Sequence, residues 1–172
     1  DQYAVEVIMT DTPQKETILI VDDTPANLHF LDELLTEKGY RTRLAPNGGR
    51  ALSSIRTAVP DLILLDIMMP GMDGYEVCKL MKLNKKTKRI PVIFVTSKGD
   101  TLDEYKGFEV GGVDYIRKPI SVPIVLSRIK THLALYNQNK ELEDKVKERT
   151  REVVDTRLEI IRHLGRAAEY KD

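Results

Sequence analysis

The stretch Asp61-Leu62-Ile63-Leu64-Leu65-Asp66-Ile67-Met68-Met69-Pro70-Gly71-Met72-Asp73-Gly74 decides the fold. Its four consecutive aliphatic residues, bounded by acids, read as a short strand covered on both faces. A strand of that kind belongs to a parallel sheet with helices on each side. Pro70 and Gly71 mark a turn, and Asp73 with Glu76 three residues on reads as a capping box that opens a helix.

Working outward, the same strand-then-helix alternation occurs five times from Thr17 onward. Strands are expected at 18–21, 40–44, 62–65, 92–95 and 113–116, three of them nearly continuous aliphatic runs. Thr24 reads as an N-cap with Pro25 in the first turn, and Gly39 suits the residue after the last turn. Asn47 can cap the second helix, and Thr101 with Glu104 reads as a capping box for the fourth. Alternation of this size predicts an α/β fold, a doubly wound five-stranded parallel sheet.

In such sheets the ligand crevice lies beyond the carboxyl ends of the strands. Asp22-Asp23, Asp66, Thr96 and Lys118-Pro119 all fall there. Three clustered carboxylates repel one another unless a cation sits among them. A hard divalent ion such as Mg²⁺ fits that need. A carboxylate left with a free oxygen is then a nucleophile for a phosphoryl group. Lys118-Pro119 is a candidate cis peptide, because only X-Pro makes that form cheap.

The chain has 172 residues, room for one domain and an appendage. Its 27 basic residues against 27 acidic ones give no case for nucleic acid or an anionic membrane as partner. Cys78 is the lone cysteine, expected buried on a helix, which points to a reducing cytoplasm. No apolar run approaches the length that spans a bilayer, and no signal-peptide pattern opens the chain. The first residue is Asp1 and the last lie within a charged helical pattern, so the chain is expected to be part of something longer.

Residues 1–16 show no period and are expected to be an extension. From 122 to about 170 the helical pattern has no proline after Pro123 and no glycine before Gly165. A continuous helix of that size is roughly 70 Å long. Ile124, Leu126, Ile129 and Leu133 can pack on the sheet. Beyond them Asn139, Val146, Val153, Ile160 and Ala167 recur every seven residues, as do Leu135, Leu142, Arg149, Thr156 and His163. This is a weak coiled-coil seam, with Asn139 in a slot that can set register in a parallel pair. A homodimer through residues 135–167 is expected.

Other residues carry less. His29, His132 and His163 have no metal-ligand spacing and read as surface or packing residues. Gly48-Gly49 is too short for a phosphate loop. Met68, Met69 and Met72 read as adaptable packing.

The pocket motifs, taken in order, resemble the receiver domain of bacterial response regulators over about 17–132, together with Gly111-Gly-Val-Asp114-Tyr115. The resemblance implies the flavodoxin-like receiver fold and carries roles onto matching positions. Asp66 would be the phosphoacceptor. Asp23 and Asp66 would bind Mg²⁺ directly, Asp22 through water, and Met68 through its backbone carbonyl. Lys118 and Thr96 would bind phosphoryl oxygens. Tyr115 would be the switch aromatic that turns inward when Thr96 moves. Domains are expected at 1–16, 17–132 and 133–172. A sensor histidine kinase would be the phosphate source. The chain itself would be no enzyme; an aspartyl phosphatase, or a dimerisation module that never takes up phosphate, are the other readings.

The helical end, from Glu141 through Leu164-Gly-Arg-Ala-Ala-Glu169-Tyr-Lys-Asp172, resembles the segment joining receivers to HD-GYP output domains, which hydrolyse cyclic di-GMP. The His-Asp and Gly-Tyr-Pro motifs of that domain are absent from the chain. Similar helices precede diguanylate cyclase and histidine kinase modules.

Overall fold

The computed structural model describes residues 15–97 and 101–169, with backbone alone at 101–104. Strands and helices alternate as β1 (Thr17–Val21), α1 (Pro25–Glu37), β2 (Arg41–Ala45), α2 (Gly48–Thr57), β3 (Leu62–Asp66), α3 (Gly74–Leu83), β4 (Val92–Thr96), α4 (Thr101–Glu109), β5 (Asp114–Arg117) and α5 (Val122–Glu169). The strands form one five-stranded sheet in the order β2-β1-β3-β4-β5. All four pairings are parallel. The flavodoxin-like doubly wound sheet expected from the sequence is therefore the fold.

The two-residue period of the strands sorts the core into two layers. Leu19, Val21, Ile63 and Leu65 face Ala51, Ile55, Val77 and Met81 of α2 and α3. Ile18, Ile20, Leu62 and Leu64 face Leu28, Leu31 and Leu35 of α1 and Val125, Ile129 and Leu133 of α5. Cys78 is buried in the first layer, as expected.

Two strands sit one residue later than the sequence suggested. Tyr40 N–H bonds back to the Leu35 carbonyl, so it completes the turn after α1, and β2 starts at Arg41. Val113 N–H reaches the Val92 carbonyl, but the ladder proper begins at Asp114. Thr24 does precede α1, yet its hydroxyl makes no cap. The Asp22 carboxylate takes the Thr24 N–H instead, at 2.8 Å. Asn47 and the Asp73–Glu76 box cap α2 and α3 as their types require. The Thr101–Glu104 box and most of the extension at 1–16 lie outside the described side chains and residues.

Helix α5 runs unbroken for 48 residues, about 72 Å at the α-helical rise. Val125, Ile129 and Leu133 bury one face of its first three turns on the sheet, whereas Ile124, expected to pack there, is 46% exposed. From residue 144 to 169 every position is exposed. No helix among the described residues is long and apolar enough to cross a membrane.

Candidate functional site: an acidic pocket at the carboxyl edge of the sheet

Strand order reverses between β1 and β3, and the crevice of a doubly wound sheet opens at that point. Asp22 and Asp23 follow the last residue of β1, and Asp66 is the last residue of β3. The sheet thus brings the three acids together, with ligand oxygens all within 4.8 Å of one another. Asp22 and Asp66 are buried, whereas Asp23 is exposed.

Lys118 enters from the end of β5. Its backbone N–H donates to the Thr96 carbonyl at 2.7 Å, and the peptide to Pro119 is cis. Its ammonium lies 3.0 Å from Asp22 Oδ2 and 3.5 Å from Asp66 Oδ2. Asp22 also accepts the Thr24 N–H and, at 3.1 Å, the Asn27 side-chain amide. Its oxygens are largely committed, while Asp23 opens to solvent.

One ammonium does not balance three carboxylates. Burial, then the charge of Asp22, push the Asp66 carboxyl up to about 6, with Lys118 opposing and Asp23 adding a little. Burial works against the Lys118 charge, but its bond to Asp22 and the charges of Asp66 and Asp22 outweigh that and raise it above the usual lysine range. A buried acid left in such repulsion, among hard oxygen donors at this spacing, fits a small divalent cation such as Mg²⁺.

The loop after β3 is held in place by its backbone. Ile67 N–H donates to Val95 O, and Gly74 N–H donates to Ile67 O. Gly71 turns the chain at φ +76°. A Cβ on Gly74 would stand 2.3 Å from the Asp66 carbonyl oxygen, so α3 starts against the backbone of the acid itself. Met68 lies in this loop, two residues past Asp66, with 56% of its surface exposed.

Thr96 ends β4 and is buried. Tyr115, in β5, is half-buried, its ring 6.1 Å from that of Phe108. A narrow apolar cleft lined by Thr96, Phe94, Gly107, Phe108 and Tyr115 separates threonine and tyrosine. The guanidinium of Arg128 sits 5.7 Å from the Tyr115 ring.

Sequence reasoning missed two neighbours. Asn27 steadies Asp22 from the first turn of α1; an amide five residues after the acid forms no motif. His132, read as a surface or packing residue, contacts Asp114 at 3.0 Å beside Arg128 at 3.2 Å. Their spacing of four residues on α5 was the available signal. His29 pairs with Glu33 on an exposed face.

Residues 18–130 match the family described as response regulator receiver domain. A Vibrio cholerae protein described as a probable cyclic di-GMP phosphodiesterase is 44% identical over 163 residues, 91% of this chain and 37% of that protein. The response regulator PleD of Caulobacter vibrioides is 40% identical over 114 residues, 66% of this chain and 25% of that protein. The chain therefore spans well under half the length of these curated relatives. Among solved structures, a CheY-like receiver domain protein from Methanospirillum hungatei superposes with TM-score 0.68 at 29% identity, covering 73% of this chain and 99% of that one. Chemotaxis protein CheY4 of Vibrio cholerae superposes with TM-score 0.66 at 25% identity, covering 69% and 98%.

Proposed function

Because the chain belongs to the response regulator receiver family of two-component signalling, we propose that Asp66 takes a phosphoryl group from a sensor histidine kinase and that α5 passes the change to an output domain. The observation that carries this reading is the buried Asp66 carboxylate held 3.5 Å from Lys118 among two further acids.

In this reading an Asp66 oxygen attacks the phosphorus of a phosphohistidine. The O–P bond forms as the P–N bond breaks, and the imidazole leaves with the electron pair. Mg²⁺, held by Asp23, Asp66 and the Met68 carbonyl, with Asp22 acting through water, would offset the charge on the phosphoryl oxygens. Lys118 stabilises one of those oxygens as a point charge. Thr96 turns its hydroxyl to another, and Tyr115 follows into the cleft behind it. That rotation takes the ring from beneath Arg128 and so alters the β5–α5 face. A small charge event thereby biases a two-state element.

Residues 1–16 serve as an extension, 17–132 as the receiver and 133–172 as a helical linker in a cytoplasmic homodimer. The output is read as an HD-GYP cyclic-di-GMP phosphodiesterase. Similarity to the Vibrio cholerae relative, described as a probable cyclic di-GMP phosphodiesterase, covers 91% of the chain and so takes in most of α5, which supports that output.

Intact mass after incubation with acetyl phosphate and Mg²⁺ tests the first step. Wild type should gain one phosphoryl group and Asp66→Asn none. An equal gain by both would remove Asp66 from its role, and no gain by folded wild type would favour a phosphate-independent dimerisation module. For the output, the longer protein containing this chain should hydrolyse cyclic di-GMP; synthesis from GTP would instead identify a cyclase.

A further inference from the structure

At the edge of the sheet opposite the acidic pocket, α5 leaves the receiver body past a groove of about 780 Å³. One wall is Arg89, Pro91 and Val113, from the segments that lead into β4 and β5. The other includes Leu135, Asn139 and Leu142 of α5. Val113 is 38% exposed, Leu135 49% and Leu142 53%. An ion pair between Arg89 and Glu143 ties the outer wall to the helix.

Leu135, Asn139 and Leu142 are also the first three positions of the seven-residue seam. At about 100° per residue they share one narrow stripe with Val146. The seam therefore does not begin beyond the receiver; its first two turns already lie inside the groove. A helix packed on that stripe, 8–10 Å from α5 by the usual interaxial distance, comes against Pro91 and Val113 as well.

We propose that this groove receives α5 of a second copy of the chain, so that each receiver body grips its partner's helix as well as its own. The inference rests on the reading of α5 as a dimer helix and adds the receiver body to that interface. Continuity of groove and seam is one argument. Charge is the other. With Asn139, Val146, Val153 and Ile160 facing their equivalents in a parallel pair, Glu152 stands across from Arg157 of the other copy, twice by symmetry. No flanking pair in that register joins like charges, while within the seam Arg149 faces its own equivalent, a repulsive layer that the Glu152–Arg157 pairs on either side offset. Val113 immediately precedes Asp114 and Tyr115, so the partner helix rests against the segment that leads into the strand carrying the switch aromatic.

The test is the dimer dissociation constant of the 172-residue chain by sedimentation equilibrium, for wild type, Val113→Lys and Val153→Lys. Val153 is on the seam far from the groove. Charged residues such as Lys140, Glu143 and Lys147 rim the groove, but an ammonium at the apolar patch of Pro91, Val113, Leu135 and Leu142 must be desolvated by any helix that enters. Val113→Lys should raise the constant at least tenfold with helix content and thermal midpoint unchanged, and Val153→Lys should raise it too. A Val113→Lys protein that dimerises like wild type, while Val153→Lys does not, overturns the groove and leaves the dimer standing. A monomeric wild type removes the dimer reading and the groove with it.

Should Val113→Lys fail to fold, a nitroxide on Val113→Cys gives the answer. Cys78 is buried, and burial pushes its thiol up to about 11, so it stays unlabelled. With excess unlabelled protein, label mobility should drop as concentration carries the chain through its dimer transition. Constant mobility through that transition would show the groove left open or filled by something else.

Discussion

Strand β3 and the outer part of α5 are opposite solutions to one problem. Every residue of β3 is buried, and its side chains touch partners supplied by the same chain. Every residue from 144 to 169 is exposed, including Val146, Val153, Leu158, Ile160 and Leu164. Local pairs such as Glu141–Lys145 at 3.0 Å add only about 0.2–0.5 kcal/mol each. The body thus covers its apolar residues within one chain, while the rod leaves its own in solvent.

The sharpest challenge to this contrast is a matched pair of truncations. Leu64→Ala should cost about 2–5 kcal/mol in urea unfolding, because a buried leucine leaves a cavity. Leu158→Ala, measured where the protein is monomeric, should cost less than about 0.5 kcal/mol. Similar losses would mean the rod is packed on the body.

A second prediction concerns charge within the body. The folded Asp66 carboxyl titrates near 6, above its ordinary 3.8. Between those values the folded chain holds a proton that the unfolded chain has released, so stability falls as pH rises through the window. Asp66→Asn should match wild type near pH 4 and exceed it at pH 7, by an amount on the order of 2 kcal/mol. Mg²⁺ should stabilise wild type at pH 7 and much less at pH 5, where the proton competes. A flat difference between the two proteins across pH, followed by thermal denaturation, would show that the repulsion is relieved in some other way.

The smallest effects separate true caps from apparent ones. Asn47→Ala should cost about 1 kcal/mol, since its side chain accepts the Arg50 N–H at 2.9 Å. Thr24→Ala should cost under about 0.5 kcal/mol, because Asp22 already serves that end of α1. Chemical denaturation of both variants checks the order, and a larger loss at Thr24 would reverse it.

The legible parts of this fold were those written in adjacent residues. Leu62 to Asp66 declares a doubly covered strand, and β1, β3, β4 and β5 each end on or next to a polar signature, so strand ends alone bring the pocket together. What stayed hidden depends on partners far apart in sequence. Arg89 and Glu143 meet only because α5 passes the opposite edge of the sheet. His132 needed the placement of β5 against α5 before Asp114 could appear beside it. Thr24 misled because residue type alone does not aim a hydroxyl: the Asn27 N–H that a cap would take goes to the Thr24 backbone carbonyl at 3.1 Å, and Asp22 accepts the Thr24 N–H itself.

The unbroken run of α5 also makes the molecule sensitive to phase. A single inserted residue between Leu133 and the outer seam would advance everything beyond it by only about 1.5 Å but turn it by about 100°. Seven inserted residues would return it to within about 20° of its original facing. Length along this rod therefore comes in steps of seven: chains differing by such a step keep both ends in registration, and those differing by two or five, turned by about 200° or 140°, present the far end's partner to the wrong side.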